Sequence, residues 1–246
     1  MSSIDIAALA VFLTAWLFYQ PILKRLSRRG GMINTDMTVL RLRWMANMAA
    51  RENRFIDSQL MGHVLNSASF FASTNLIVIA AAAGALFKSA DTYRTVAHLA
   101  VTETGPRWLF EAKLALVVVA LARGLLDFVW AIRQMNYTLA AIGAAPPPSA
   151  GASVAREYGA AAAAVLNPAL SSFNNGVRGY YFALGAAAWL MGPWAMIVAV
   201  LGLVALLGWR QFASTSAQGV HRIRRLLETI EPPVDDAEEK GPEGAP

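Results

Sequence analysis

Residues 108–137, WLFEAKLALVVVALARGLLDFVWAIRQMNY, decide the class of this protein. The segment is apolar and long enough to cross a bilayer, yet it carries charged residues along its length. At about 100° per residue, a single helical stripe contains Arg123, Asp127, Trp130, Gln134 and Tyr137. A charged side chain inside hydrocarbon costs several kcal/mol, so we expect this stripe to face protein or water. The rest of the chain must supply the helices that cover it.

Composition extends this interpretation to the whole chain. Of 246 residues, 56% are hydrophobic and 15% are charged, which is unlike an ordinary soluble domain. Apolar runs of about 20 residues indicate membrane spans, and four are present, at about 4–20, 65–87, 109–132 and 180–209. We therefore expect an all-α, polytopic membrane helical bundle with four transmembrane helices plus a cytoplasmic amphipathic helix. Residues 1–210 form the single transmembrane domain, and 211–246 a short amphipathic helix with a disordered acidic tail.

The basic residues predict an orientation. They are concentrated in the first connection, which puts this connection in the cytoplasm and the N-terminus outside. The expected location is the inner membrane of a bacterium, with anionic lipids bound between Lys24 and Arg54. The basic residues concerned are Lys24, Arg25, Arg28, Arg29, Arg41, Arg43, Arg51 and Arg54.

A helix is predicted to begin at Thr35 or Asp36 and to run straight through the basic connection into the second span. Its broad apolar arc, which includes Trp44 and Phe55, suits two arrangements. The segment lies on the anionic leaflet, or it packs under the bundle.

The second span opens with a polar face formed by Asn66, Ser69 and Ser73. Small hydroxyl and amide residues allow helices to approach closely and to hydrogen-bond across the contact. Helix packing is the simpler interpretation of this face. The alternative is a polar lining opposite Arg123.

The last apolar run, 180–209, is too long for a straight crossing. As one helix it measures about 45 Å, against a hydrocarbon layer of about 30 Å. Gly192 and Pro193 lie near its middle, and proline there commonly kinks a helix. We expect one kinked crossing, with a re-entrant pair of half-helices as the alternative that the distribution of Lys and Arg prefers. Upstream, Asn167-Pro168 is expected to interrupt an Ala-rich helix.

Five collinear blocks resemble an uncharacterised membrane family of bacteria and plants, domain of unknown function family 599. The resemblance covers residues from about 6 to 209 and implies a multi-pass membrane protein, but no activity, substrate or catalytic residue. The blocks are ARENRFID (50–57), SASFFASTNLI (67–77), WAIRQMNY (130–137), IGAAPPP (142–148) and NNGVRGYYFALGAAAW (174–189).

The usual soluble-enzyme signatures are absent from the sequence, so we expect no enzymatic activity. With no cysteine and three widely separated histidines, we also expect no metal or other cofactor. Nucleic-acid binding is not expected, because basic residues beside a span are explained by topology and lipid.

The strongest candidate for a functional group is the i, i+4 pair of Arg123 and Asp127. It is either a structural ion pair or part of a transport pathway in which Arg123 contacts an anion. Two function classes therefore remain: a small transporter or channel component, and a non-catalytic accessory or scaffold protein of a membrane complex. A homo-oligomer or a membrane protein partner is compatible with both. The candidate binding residues are Arg123, Asp127, Gln134, Tyr137, Asn66, Ser69 and Ser73.

Overall fold

The computed structural model of the chain describes residues 1–27, 32–97 and 106–230, and regular structure in these ranges is helical throughout. The all-α prediction is confirmed for these residues. Arg28, Arg29, His98 and the predicted acidic tail lie outside them, as does the side chain of Lys24. The helices are α1 (Ser3–Ser27), α2 (Ile33–Ala49), α3 (Phe55–Phe87), α4 (Ser89–Ala97), α5 (Arg107–Gly143), α6 (Ala152–Ala187), α7 (Pro193–Phe212) and α8 (Thr215–Ile230).

Three described segments are long and apolar enough to cross a membrane. They are α3, α5 and the stretch Pro193–Ile230, whose apolar part is α7. A shorter apolar segment, Ser3–Tyr19, forms most of α1. The chain thus has the character of a membrane protein.

The centre of the fold is an antiparallel pair formed by α5 and α6. At about 1.5 Å per residue, each helix is roughly 55 Å long, and they lie side by side over most of that length. Gly176 makes this approach possible, because a Cβ on it would lie 2.7 Å from the ring of Phe128. At the far end the Tyr158 hydroxyl donates to the Ala141 carbonyl at 2.9 Å.

The predicted interruption at Asn167-Pro168 is wrong, because α6 continues through Pro168. Proline removes one backbone hydrogen bond and strains the helix. Here the neighbouring positions are anchored: Leu166 and Ala169 are fully buried in a cluster shared with α2, α3 and α5. Packing on both sides of the proline therefore outweighs the local preference for a break.

Residues 180–209 do not form one kinked helix, so that prediction is also wrong. The chain leaves α6 through a short 3₁₀ turn, Ala188–Met191, and reverses at Gly192, whose φ of 120° suits glycine. Pro193 then starts α7 at a position where its missing N–H costs nothing. The Arg210 guanidinium donates to the Tyr181 hydroxyl at 2.8 Å, so α6 and α7 lie antiparallel. The stretch is a helical hairpin, which is closer to the alternative of two helical segments.

The predicted continuous helix from Asp36 into the second span is broken between α2 and α3. The break is held by a cluster that we name the Arg54 hub, formed by Trp44, Arg51, Arg54 and Asp57. Arg54 donates to the carbonyls of Met48, Ala49, Ala145 and Pro146, at 3.3, 3.2 and 2.9 Å for the first three. Asp57, which is fully buried, accepts from Trp44 Nε1 at 2.7 Å and from Arg51 Nη1 at 2.6 Å.

Of the two arrangements expected for this segment, α2 has the packed one. Met45 and Met48 are fully buried against α6 and its neighbours. Arg41, within the same apolar arc, approaches the Asn167 side chain at 3.5 Å, and burial lowers the pKa of its guanidinium. Arg41, Arg51 and Arg54 bond within the chain, and the expected contact of the basic segment with anionic lipids stays a prediction.

The last helix, α8, folds back onto α2. Asp36, which is fully buried, accepts from Arg224 Nη1 at 2.7 Å and is hydrogen-bonded to His221 Nδ1 at 3.0 Å. Four crossings would leave α2 and α8 on opposite sides of a membrane. In the structure the two helices are in direct contact.

Candidate functional site

Arg123 and Asp127 are hydrogen-bonded, as their spacing on α5 allows. Nε of Arg123 donates to Oδ2 of Asp127 at 3.3 Å. The Arg123 side chain is 63% exposed and that of Asp127 only 19% exposed. The pair is therefore not an enclosed ion pair.

The two side chains line a groove between α1, α5 and α6. Its volume is about 460 Å³. One wall is polar and the rest is aromatic or aliphatic, so charged and apolar groups meet in one concave surface. The lining comprises Trp16, Leu17, Tyr19, Val119, Arg123, Gly124, Asp127, Asn175, Arg178, Gly179 and Phe182.

Arg178 lines the groove and is not among the candidate residues of the sequence analysis. It extends from α6 into the groove, where Nη1 donates to Asn175 Oδ1 at 3.1 Å. Its guanidinium carbon lies 5.7 Å from the centre of the Tyr19 ring, a cation–π geometry. The NNGVRGYY sequence contains this arginine, but the apolar run that predicts the fourth span begins at Tyr180. Arg178 was therefore assigned to a connection.

The polar face of α3 does not meet the Arg123 stripe, so the alternative interpretation of that face, a polar lining opposite Arg123, is wrong. Asn66, Ser69 and Ser73 are all exposed. The face of α3 that packs carries Met61, Ala68 and Asn75, at every seventh residue. Asn75 donates from Nδ2 to the Leu121 carbonyl at 3.0 Å and fixes α3 against α5. An aromatic cluster of Phe71, Phe128, Phe173 and Tyr180 completes this contact.

Gln134 and Tyr137 lie on α5 beyond the groove and do not line it. Oε1 of Gln134 accepts from the Ser172 hydroxyl at 3.3 Å and so joins α5 to α6. Tyr137 is half exposed, as is Trp130. The predicted stripe thus divides into a groove part, Arg123 and Asp127, and a part that serves packing or faces outward.

A second polar cluster lies at the other end of α5. Lys113 is 3% exposed, and its Nζ lies 5.7 Å from the centre of the Trp189 ring. Trp189 Nε1 donates to Asp5 Oδ1 at 2.9 Å. At this degree of burial the Lys113 side chain does not extend to water. Asp5, Lys113 and Trp189 tie α1, α5 and the α6–α7 turn together.

Within the described ranges, no group of three or more His, Asp or Glu side chains is arranged to hold a metal ion. His63 is exposed and His221 is bound to Asp36. The expected absence of a cofactor stays a prediction.

A family model described as "Protein of unknown function, DUF599" matches residues 7–216 of the chain. No curated protein and no solved structure matches the chain. The matched segment contains every residue of the groove and of the Arg54 hub.

Proposed function

The chain belongs to the DUF599 family of proteins of unknown function, and on that premise we propose that it is a multi-pass membrane protein that binds an anionic group in the groove between α1, α5 and α6. We further propose that it acts as a small transporter or channel component. The observation that carries the proposal is the presence of Arg123 and Arg178 in one groove.

The charges of the groove favour an anion. Two guanidinium groups face one carboxylate, Asp127, so the lining has a net positive charge. Arginine is suited to this role because its planar group binds phosphate or carboxylate through two parallel hydrogen bonds. Asp127 keeps Arg123 aimed into the groove through Nε, which leaves the terminal nitrogens for a ligand.

The proposed membrane topology has five crossings instead of four. Phe12 of α1 contacts Phe182 of α6 with ring centres 6.1 Å apart, and a Cβ on Gly185 would lie 3.3 Å from Val200 of α7. Ala120 and Ala183 share one buried cluster of α5 and α6. The C-terminal half of α6 thus lies at the level of the apolar parts of α1, α5 and α7, which supports counting it as a span.

Five crossings bring α2 and α8 to the same side, in agreement with their contact through Asp36. Both carry arginines, so the positive-inside tendency assigns this side to the cytoplasm and the N-terminus to the outside. The proposed location is the inner membrane of a bacterium. Since the natural chain has no cysteine, single cysteines at Ser3, Asn53 and Ser216 test this topology with an impermeant thiol reagent. In intact cells only position 3 should react; reaction at 216 but not 53 would exclude five crossings.

The transport proposal is tested with purified protein in liposomes and a panel of anions. Arg123→Gln and Arg178→Gln should lower flux at least about tenfold, the loss expected when about 1.4 kcal/mol of binding is removed. Arg133→Gln is the matched control, because Arg133 is exposed on the same helix and does not line the groove. Equal flux in all three variants would contradict a role for the groove.

A second candidate, a non-catalytic accessory or scaffold protein of a membrane complex, is favoured by the surface of α8. Ile223, Leu226 and Ile230 are exposed along one stripe of this helix, beside Arg222 and Arg225. Such a stripe suits a lipid surface or a partner helix. Absence of flux in liposomes, together with loss of function in cells after Ile223→Asp and Leu226→Asp, would favour this candidate.

A further inference from the structure

We infer that the occupant of the groove is an amphiphile, with a phosphate or carboxylate head bound by Arg123 and Arg178 and an apolar chain lying along α1 and α5. The inference rests on the proposed function and specifies the ligand class of the same site. Its basis is the combination of a polar wall, an apolar rim and a closed inner end.

The polar wall supplies the head-group contacts. Arg178 is held on one side by Asn175 and on the other by the Tyr19 ring, so its guanidinium is pre-positioned in the groove. Among the described residues, the hydrogen bond of Arg123 to Asp127 uses Nε alone. The two guanidinium groups come from different helices, and together they can hold one anionic head between them.

The rim of the groove is apolar and open at the side. Leu17 on α1 is 61% exposed and Val119 on α5 is 53% exposed, and both line the groove. In a membrane such side chains contact acyl chains. The groove therefore opens toward lipid between α1 and α5, where a hydrocarbon chain can leave the head group without crossing polar surface.

The inner end of the groove is closed by packed aromatic rings. Phe182 lines the groove and is 3% exposed, and behind it Phe12 is fully buried in edge-to-face contact. Ala120 and Ala186, on either side of this level, are also fully buried. A ligand whose head group stays in the groove, with its hydrocarbon chain outside, requires no opening at this end.

The size and level of the groove agree with this ligand. A volume of about 460 Å³ accommodates a head group and the first atoms of a chain, but not a whole lipid. Tyr19 marks the end of the apolar segment of α1, so the groove lies where that helix passes from apolar to basic sequence. This is the level at which the heads of one leaflet are found.

The experiment compares two probes on the full chain in a zwitterionic detergent. Short-chain phosphatidylglycerol carries the anionic head with chains, and glycerol 3-phosphate carries a similar phosphate without them. Binding is measured by native mass spectrometry and by the shift of the unfolding midpoint. We expect saturable binding of the lipid at a dissociation constant at least tenfold below that of glycerol 3-phosphate, and weakening at least tenfold in Arg123→Gln and Arg178→Gln.

A variant of the apolar rim tests the contribution of the ligand's hydrocarbon chain separately from that of its head group. Leu17→Ser should weaken binding of the lipid about three- to tenfold and leave glycerol 3-phosphate unchanged. Leu126→Ser is the matched control, because Leu126 is 66% exposed on α5 and does not line the groove. Arg178→Lys keeps the charge and should retain part of the binding, which separates loss of a contact from loss of the fold.

Equal affinity for the two probes, with both lost in the arginine variants, would overturn the amphiphile and leave anion binding in the groove intact. Binding of either probe that is unchanged in Arg123→Gln and Arg178→Gln would overturn the groove as the site, and with it the proposed function. Binding of phosphatidylcholine as tight as that of phosphatidylglycerol would overturn the role of the anionic head.

Discussion

The Arg54 hub and the groove combine the same residue types and use them differently. In the hub Asp57 is fully buried and accepts two hydrogen bonds, and Arg54 donates to four backbone carbonyls. In the groove the Arg123–Asp127 bond is longer, at 3.3 Å, and Arg123 is 63% exposed. In the hub, Arg54 donates its hydrogen bonds to carbonyls of the chain. In the groove, Arg123 donates to Asp127 through Nε alone and is largely exposed. That contrast separates a structural arginine from one suited to a ligand.

The largest effect is expected when the hub loses Arg54. Arg54→Met removes this donor from the carbonyls of Ala49, Ala145 and Pro146, whereas the Met48 carbonyl keeps the Arg51 N–H at 3.2 Å. Each buried acceptor left unsatisfied costs about 1–3 kcal/mol, so we expect a loss of at least about 3 kcal/mol in the free energy of unfolding. Chemical denaturation in detergent measures it, with Arg133→Met as the control. A loss below about 1 kcal/mol would show that Arg54 contributes no more to the free energy of unfolding than is expected of Arg123.

Asp57→Asn should have a smaller effect on the same hub. The amide keeps an oxygen for Trp44 Nε1 but removes the charge that binds Arg51, which is itself 46% exposed. We expect a loss of about 1–3 kcal/mol, because hydrogen bonds to charged groups contribute more than neutral ones. The same denaturation measurement applies. A loss as large as that of Arg54→Met would mean that the carboxylate, not the guanidinium, organises the break between α2 and α3.

The contact of α8 with α2 is intermediate between the two regions. Arg224 is 27% exposed and also bonds to Glu228 on its own helix, so Arg224→Gln should destabilise the contact by about 1–2 kcal/mol. Release of α8 would be seen as faster proteolysis after residue 212, with Arg222→Gln as the exposed control. Unchanged proteolysis would show that His221 and the packing of Ala217 suffice to hold α8 in place.

The smallest stability effect is expected in the groove. Because Arg123 is largely exposed, Arg123→Gln and Asp127→Asn should each change the free energy of unfolding by less than about 1 kcal/mol. Thermal unfolding of the single and double variants measures this. A loss of 3–5 kcal/mol in either single variant, recovered in the double, is what an enclosed ion pair would give. That result would return the pair to a structural role.

Local sequence patterns predicted the helical class, the apolar runs and the pairing of Arg123 with Asp127. These features depend on composition and on spacing within one helix, which the chain encodes directly. The interpretation of α3 failed because helical periodicity shows which residues share a face, but not which face packs against another helix. Asn66, Ser69 and Ser73 share a face, but Met61, Ala68 and Asn75 meet α5.

The remaining errors come from tertiary contacts that override local preference. Pro168 stays inside α6 because buried neighbours hold the helix, and the break before α3 exists because Arg54 binds carbonyls distant in sequence. The sequence indicates a turn at Gly192, because Gly-Pro is a common turn signal. The predicted kink rests on the length of the apolar run and on Pro193 near its middle, which also suits the first turn of a new helix. Arg178 could be placed in the groove only after the C-terminal half of α6 was recognised as part of the bundle.

The most direct test of the central claim is the unfolding midpoint of the full chain at increasing concentrations of short-chain phosphatidylglycerol. A ligand at about 100 times its dissociation constant stabilises the folded state by about 2.7 kcal/mol, which raises the midpoint by several degrees for a chain of this size. The account predicts this rise for the wild type and for Arg133→Gln, and its loss in Arg178→Gln. An equal rise in all three proteins would contradict the account, because the lipid would then bind somewhere other than the groove.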